Sequence, residues 1–198
     1  MYEDELKRFL TNVNEHELTI NLDNGLYRDL TIKKEDTVSY HYNITTRPGY
    51  LMISGDMGTY VFSRIPDMFK FFRNDGYEIN AGYWAEKLVA DSEYVKSEVF
   101  SPKRVEEYLN QIMEDYIEDN WDEDVGEERE LIESLITQAN MCEDDLFYSI
   151  EKNANSTQLD LSDYYEYDFK DYSYYYIWCC YAIVHAIKLY DKIKKVSV

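Results

Sequence analysis

The chain has 198 residues, with 40 Asp and Glu against 20 Lys and Arg, and 45% of it is hydrophobic, including 21 Tyr, 8 Phe and 3 Trp. That length and apolar content suit a folded domain burying about 70% of the surface its unfolded chain exposes, and exclude wholesale disorder. A formal charge of −20 excludes ordinary binding to phosphate backbones or anionic lipid, because long-range attraction becomes repulsion.

The acidic start, Met1-Tyr2-Glu3-Asp4-Glu5, lacks the basic and apolar regions of a secretory signal, so the expectation is a cytoplasmic protein. A short helix is predicted around Glu3–Leu10. Alternation in Leu18-Thr19-Ile20-Asn21-Leu22, followed by Asp23-Asn24-Gly25, predicts a hairpin with a type I′ turn, and Leu30-Thr31-Ile32 lies on the return strand. Val38 to Thr46 is rich in β-branched and aromatic residues and predicts a strand. Arg47-Pro48-Gly49 makes a turn, and Tyr50 to Ser54 and Thr59 to Ser63 are two more strands about Gly55-Asp56-Met57-Gly58.

Past Arg64 the pattern becomes helical. Pro66 predicts the first residue of a helix over Asp67–Arg73, and a second helix is predicted from Tyr83 to Ala90. Ser101-Pro102 is a cap and first-turn signal for a long helix carrying Val105, Leu109, Ile112, Met113 and Tyr116 on one stripe, with Gly126 as its break. Glu127 to Ala139 and Asp144 to Lys152 are two more helices, Asn153 to Thr157 a loop, and Tyr172 to Lys194 a final helix. Tyr174 to Ile187 is apolar for about 14 residues, short of the ~20 that cross a bilayer, and reads as buried.

Strands first and helices afterwards predict an α+β fold: an antiparallel β-meander of four to five strands, then an acidic helical region packed on one face. Residues 1–100 form the sheet portion with short helices and 101–198 the acidic helical portion, within one compact domain. The three cysteines, Cys142, Cys179 and Cys180, suit neither a disulfide framework nor a CxxC pair and are expected to be buried, reduced thiols.

Charge is unevenly placed. Residues 1–104 hold 17 acids and 13 bases, residues 105–170 hold 21 and 3, and residues 171–198 hold 2 and 4. From Glu106 to Asp122 the acids Glu106, Glu107, Glu114, Asp115, Glu118, Asp119 and Asp122 would lie along ~24 Å of helix, one per ~3.4 Å, close to the charge spacing along one DNA strand. Glu107, Glu114 and Glu118 share one face with Asp115 and Asp122 beside them, and Glu123, Asp124, Glu127 and Glu128 extend the ridge. Like charges at i,i+4 each cost about 0.2–0.5 kcal/mol, which solubility alone does not require. A solvated helix face is the plain reading; an anionic surface that occupies a basic nucleic-acid-binding groove is the sharper one.

Other chemistry is sparse. With Gly126 at the sixth position of a calcium loop, Trp121, Val125 and Ile132 fall at positions one, five and twelve, where none can ligate through its side chain. His16, His41 and His185 make no zinc spacing, Gly55–Gly58 joins two strands rather than a strand to a helix, and Ser54 and Ser63 have no nucleophile-elbow context. No catalytic residue, metal or cofactor is assigned. Tyr164, Tyr165, Tyr167, Tyr172, Tyr174, Tyr175 and Tyr176 crowd one stretch, suited to core packing or to a homodimer interface.

The stretch Tyr42-Asn43-Ile44-Thr45-Thr46-Arg47-Pro48-Gly49-Tyr50-Leu51, then Ile53 to Arg64 with its Ser54-Gly55-Asp56-Met57-Gly58, Asp67-Met68-Phe69, Phe71-Phe72-Arg73 and Gly82-Tyr83-Trp84-Ala85-Glu86-Lys87-Leu88, resembles a group of uncharacterised bacteriophage and prophage proteins. The likeness covers about residues 40–110, with Arg47 standing where similar sequences often have Trp. It transfers no function to Arg47, Gly49, Gly55, Asp56, Gly58, Arg64, Arg73, Tyr83 or Trp84. What it implies is context: a non-enzymatic accessory inhibitor of a host defence system, anti-CRISPR or antirestriction. Such a protein would mimic nucleic acid in the basic groove of a CRISPR effector or restriction enzyme, without touching nucleic acid or membrane itself. Two other expectations stand beside it. One is an enzyme acting on a nucleotide or modified protein, with a pocket near Gly55–Gly58 and Arg64, Arg73, Tyr83 and Trp84 about its ligand; the other is a homo-oligomeric structural accessory.

Overall fold

The chain opens with helix α1 (Glu3–Asn12), runs along β1 (Glu17–Asn24) and returns on β2 (Tyr27–Lys33) in a computed structural model that describes residues 2–92, 94–121 and 124–196. Asn24 pairs with Tyr27, so the loop is Gly25-Leu26, with φ of 63° at Gly25 and a negative φ at Leu26. Glycine at the first loop position is the II′ pattern, one residue further on than the Asn24-Gly25 turn expected. Strands β3 (Tyr42–Arg47), β4 (Tyr50–Gly55) and β5 (Gly58–Ser63) follow as tight hairpins, with Arg47 opposite Tyr50 and Gly55 opposite Gly58. The strand expected from Val38 starts only at Tyr42. Before it, His41 N bonds Val38 O and Tyr40 N bonds Asp56 Oδ2 at 2.8 Å, so local turns take the hydrogen bonds a ladder would have used.

Helix α2 (Met68–Phe72) is capped by Asp67, whose Oδ1 accepts from Phe69 N; Pro66 therefore precedes the cap instead of opening the helix. Helix α3 (Ala81–Ala85) is short, and β6 (Leu88–Asp91) takes up residues for which a helix was expected. Pairing with the open edge of β5 outweighs local helical spacing there. The sheet thus has six antiparallel strands in sequence order, against the four to five predicted.

One face of that sheet buries Leu30, Ile32, Tyr42, Ile44, Leu51, Ile53, Tyr60 and Phe62. The last helix, numbered α7 in chain order (Tyr174–Val196), lies against it with α1 and α2 alongside. Its Trp178 is fully buried, with Phe9 and Tyr42 edge-on at 5.1 and 5.5 Å. Arg28 is buried on the same side, bonded to Asp67 Oδ1 at 2.9 Å with its guanidinium 4.4 Å from the Phe69 ring centre, which ties β2 to α2.

Between β6 and α7 the chain forms β7 (Glu98–Phe100), α4 (Pro102–Asp119), α5 (Gly126–Ala139), α6 (Glu143–Asn153), a 3₁₀ turn at Ser162–Glu166 and β8 (Lys170–Tyr172). The chain divides into two compact units, residues 1–98 with 172–198, and residues 99–171. The second unit has a core of its own, including Val105, Leu109, Met113, Ile132, Leu135, Leu146, Ile150, Leu161 and Phe169. The acidic portion therefore ends at 171, and the final helix belongs with the sheet. Cys179 and Cys180 are buried as expected, but Cys142 is exposed, because it sits at the N-terminal cap of α6.

Candidate acidic interaction surface

The second unit carries 22 acids and 5 bases, net −17, which leaves 18 and 15 for the sheet unit. Its longest helix, α4, is set by sequence at both ends. Ser101 Oγ accepts from Arg104 N, Pro102 takes the first helical position, and Asn120 closes the last turn by donating Nδ2 to Tyr116 O. Val105, Leu109 and Met113 face the core, which leaves Glu107, Glu114, Asp115, Glu118 and Asp119 exposed on the far side. Glu106 is exposed as well.

Gly126 opens α5 instead of interrupting α4; its N–H bonds Asp124 Oδ1 at 3.1 Å. Asp124 and Glu127 are exposed and Glu128 is half-buried. Asp122 and Glu123 lie outside the described residues. Of the predicted ridge, the structure thus gathers Glu107, Glu114, Asp115, Glu118 and Asp119 on one helix, with Glu127 and Glu128 on the next.

The distribution of charge within each helix separates the acids that help their helix from those that do not. A helix end carries about half an elementary charge, positive at the N-terminus, so acids are favoured in the first turn and bases in the last. α5 obeys this with Glu127 and Glu128, and α6 with Glu143, Asp144 and Asp145 at its start and Lys152 at its end. α4 reverses it: Lys103 and Arg104 lie in the first turn, and Glu118 and Asp119 in the last. Like charges stack there too, at Glu114/Glu118 and Asp115/Asp119. Relief is slight. Glu107 meets Lys103 at 3.5 Å in solvent, and Asp115 accepts from Gln111 Nε2 at 2.8 Å.

Asp115 and Asp119 also line a cleft of about 510 Å³ with Tyr108 and Tyr116, closed on its other side by Gln158, Asp160 and Asp163. Tyr116 donates its hydroxyl to Gln158 Oε1 at 2.9 Å, and Asp160 accepts from Ser162 Oγ at 2.6 Å and Ser162 N at 3.1 Å, which holds its carboxyl below the usual range. Burial pushes the Tyr108 phenol up to about 12, and the charges of Asp163 and Asp160 add to it. Four carboxylates, two phenols and no base make a lining suited to a guanidinium or ammonium group. No group of three or more His, Cys, Asp or Glu among the described residues is arranged to hold a metal ion. Sequence reading missed this cleft because Asp160 and Asp163 come from a loop about 45 residues beyond α4 that has no periodicity to read.

The motif residues between 47 and 84 are engaged in the fold. A side chain at Gly55 would place its Cβ 2.2 Å from His41 O, and Gly49 and Gly58 have φ of 83° and 112°. Asp56 holds Tyr40 N, and buried Met57 fills the inner side of the turn. Arg47 lies over the Tyr50 ring at 4.3 Å, and Arg64 N bonds Gly49 O. Arg73 makes a bidentate pair with Asp191 at 2.7 and 2.9 Å, Trp84 is buried edge-on to Phe72, and Lys87 lies over Tyr83. Trp84 is thus packed in the core, while Arg73 lines a separate open cleft of about 960 Å³ with Lys188, Lys192, Lys194 and Lys195, so the two share no ligand space.

The tyrosine-rich stretch divides between the units. In the acidic unit Tyr164 packs on Phe147 and donates to Glu151 Oε1, whereas Tyr165 is 71% exposed and Tyr167 is partly covered by Tyr108. In the sheet unit Tyr176 is fully buried, Tyr174 lies under Arg8, Tyr172 is half-buried beside Tyr176, and Tyr175 is exposed. The histidines are spent locally: His16 Nε2 lies 3.2 Å from Ser39 O, His41 Nδ1 is 2.6 Å from Val38 O, and His185 meets Tyr77. Among the described residues no helix is long and apolar enough to cross a membrane. Comparison with protein families, with curated proteins and with solved structures gives no match.

Proposed function

We propose that this protein is a phage-type accessory inhibitor that blocks a bacterial defence enzyme, a CRISPR effector or restriction enzyme, by seating its acidic helical unit in that enzyme's basic nucleic-acid-binding groove. The observation that carries the reading is the reversed charge order of α4. Glu118 and Asp119 sit where the helix dipole opposes them, exposed and in no ion pair among the described residues, at a cost of about 0.3–1 kcal/mol each. An acidic face kept against helix stability is the expected mark of selection for a cationic partner. The Asp115/Asp119/Asp160/Asp163 cleft offers a socket for an arginine or lysine of that groove, and Trp121, 82% exposed beside α4, supplies an aromatic anchor of the kind that dominates protein interfaces. The resemblance of residues 40–110 to phage proteins supports the setting, a bacterial cytoplasm.

Changing Glu114, Glu118 and Asp119 together to Lys reverses the face while leaving every core residue in place. The expected result is a folded protein that has lost protection of a susceptible phage or plasmid in a panel of CRISPR and restriction hosts. Undiminished protection by the folded variant sinks the mimicry reading. Raised salt should also slow association with the captured enzyme.

A further inference from the structure

β6 ends the six-stranded sheet, so one of its backbone edges faces β5 and the other faces no strand of that sheet. Among the described residues β6 makes ladder hydrogen bonds to β5 and to no other strand. Along this side lies a cleft of about 480 Å³, lined by all four residues from Leu88 to Asp91 together with Ser97, Glu98 and Tyr172, and by none of β5. Successive side chains of a strand point to opposite faces, so a cleft that touches four in a row while missing β5 follows the free edge rather than either face. Its floor is open at Gly82, where an added Cβ would meet only the Tyr172 hydroxyl, at 3.6 Å.

An unpaired edge presents a row of N–H and C=O groups that an extended chain can satisfy; proteins blunt such edges with short strands, bulges, lysine or proline, and β6, though short and irregular, carries neither lysine nor proline. Here the apolar Val89 is 57% exposed on the edge, at the irregularity where Leu88 pairs with Phe62 and Ala90 with Val61. The ionisable side chains lining the cleft, apart from Tyr172, are all carboxylates, Glu86, Asp91 and Glu98, of which Asp91 is already held by Ser97 N and Oγ donating to its Oδ2 at 3.1 and 3.3 Å. Lys87 and Lys96, which pair with the first two, lie outside the lining. Four strand residues span about 13 Å, the length of one short peptide segment.

The geometry points to a peptide-docking slot: an extended segment of a partner protein, bearing lysine or arginine at alternate positions, adds as a strand to the free edge of β6 and sets its basic side chains against Glu86 and Glu98. Main-chain bonds supply the affinity and the carboxylates the preference for a basic sequence. The slot uses residues separate from those of the acidic helical unit, so either reading can fail alone.

Two probes test it on the full-length ¹⁵N-labelled protein: the blocked hexapeptide Lys-Val-Lys-Val-Lys-Val, and the same peptide N-methylated at every second residue, which keeps the charge but removes the strand-pairing N–H groups. The first should shift the amide resonances of 88–91 and slow their hydrogen exchange at least tenfold, with the methylated peptide binding at least tenfold more weakly at that place. Glu98→Lys, an exposed change that leaves β6 intact, should weaken the first peptide several-fold. Equal binding of both peptides, shifts confined to the acidic helices, or no shift at millimolar peptide would each overturn the proposal.

Discussion

Tyr77 Oη and Nδ1 of His185 lie 2.6 Å apart and share a hydrogen bond whose donor is set by the imidazole tautomer. Burial, with smaller contributions from His16 and Lys188, pushes the His185 pKa down to about 4, and burial pushes the Tyr77 phenol up. The pair is therefore locked in its uncharged form, unlike a proton-transfer couple poised near neutrality.

This depression makes stability pH-dependent. Between the unfolded value near 6.5 and about 4 the unfolded chain binds a proton at His185 that the folded chain does not. Stability from this group is complete above about pH 6.5 and is lost as pH falls toward 4, by up to about 3 kcal/mol. Urea unfolding of the protein and of His185→Phe at pH 7, 5.5 and 4.5 isolates the effect, since the carboxylate background is common to both. The stability difference should shift in favour of the variant with acidity; a difference that stays flat would show that His185 titrates normally.

Neutralising the acids at the end of α4 should strengthen the fold. Glu118→Gln with Asp119→Asn removes two charges that oppose the helix dipole, with an expected gain of about 0.3–1 kcal/mol each, read from denaturant midpoints. A loss instead would show that the carboxylates serve the helix and would remove the main support for the inhibitor reading.

Gly55 and Gly49 should respond differently to alanine. At Gly55 the new Cβ collides with the His41 backbone, which has no rotamer to change, so a loss of about 2–3 kcal/mol is expected. At Gly49, where φ is 83° and nothing lies within 4 Å of the added carbon, the cost is left-handed strain alone, about 1–2 kcal/mol. Equal losses would mean that the His41 segment moves aside.

Two cores should give separable responses. Leu135→Ala, in the acidic unit, should lower one unfolding transition by about 2–5 kcal/mol, and Ile44→Ala, under α7, the other. Added salt should raise the acidic unit's transition more, by screening a net charge of −17. One transition shifted alike by both variants would contradict independent units.

What could be read from the chain follows the range of the forces involved. Ser101-Pro102, Pro48-Gly49 and Gly55–Gly58 act over two to four residues and produced the cap and turns expected of them. The apolar run from Tyr174 was recognisable as a buried helix because its composition alone demands cover. Leu88-Val89-Ala90 was misread, since the hydrogen bonds that make it a strand come from β5, where Phe62 pairs with Leu88 and Val61 with Ala90. Gly126 and Pro66 were assigned the wrong side of a helix start, because Asp124 accepts from Gly126 N and Asp67, accepting from Phe69 N, is itself the cap after Pro66. The α4 ridge was legible from 3.6-residue spacing, whereas its cleft depends on a distant loop.

The acidic unit begins at residue 99 and ends at 171, and the chain enters and leaves it through β7 and β8, two strands of one small sheet. Neighbouring strands lie about 4.8 Å apart, so the two crossing points are close enough for a few residues to bridge. The stretch between them is thus set into the scaffold at one place, so its removal would leave the sequence of the six-stranded sheet unaltered. On this topology the six-stranded scaffold and the charged segment can vary in sequence independently of each other.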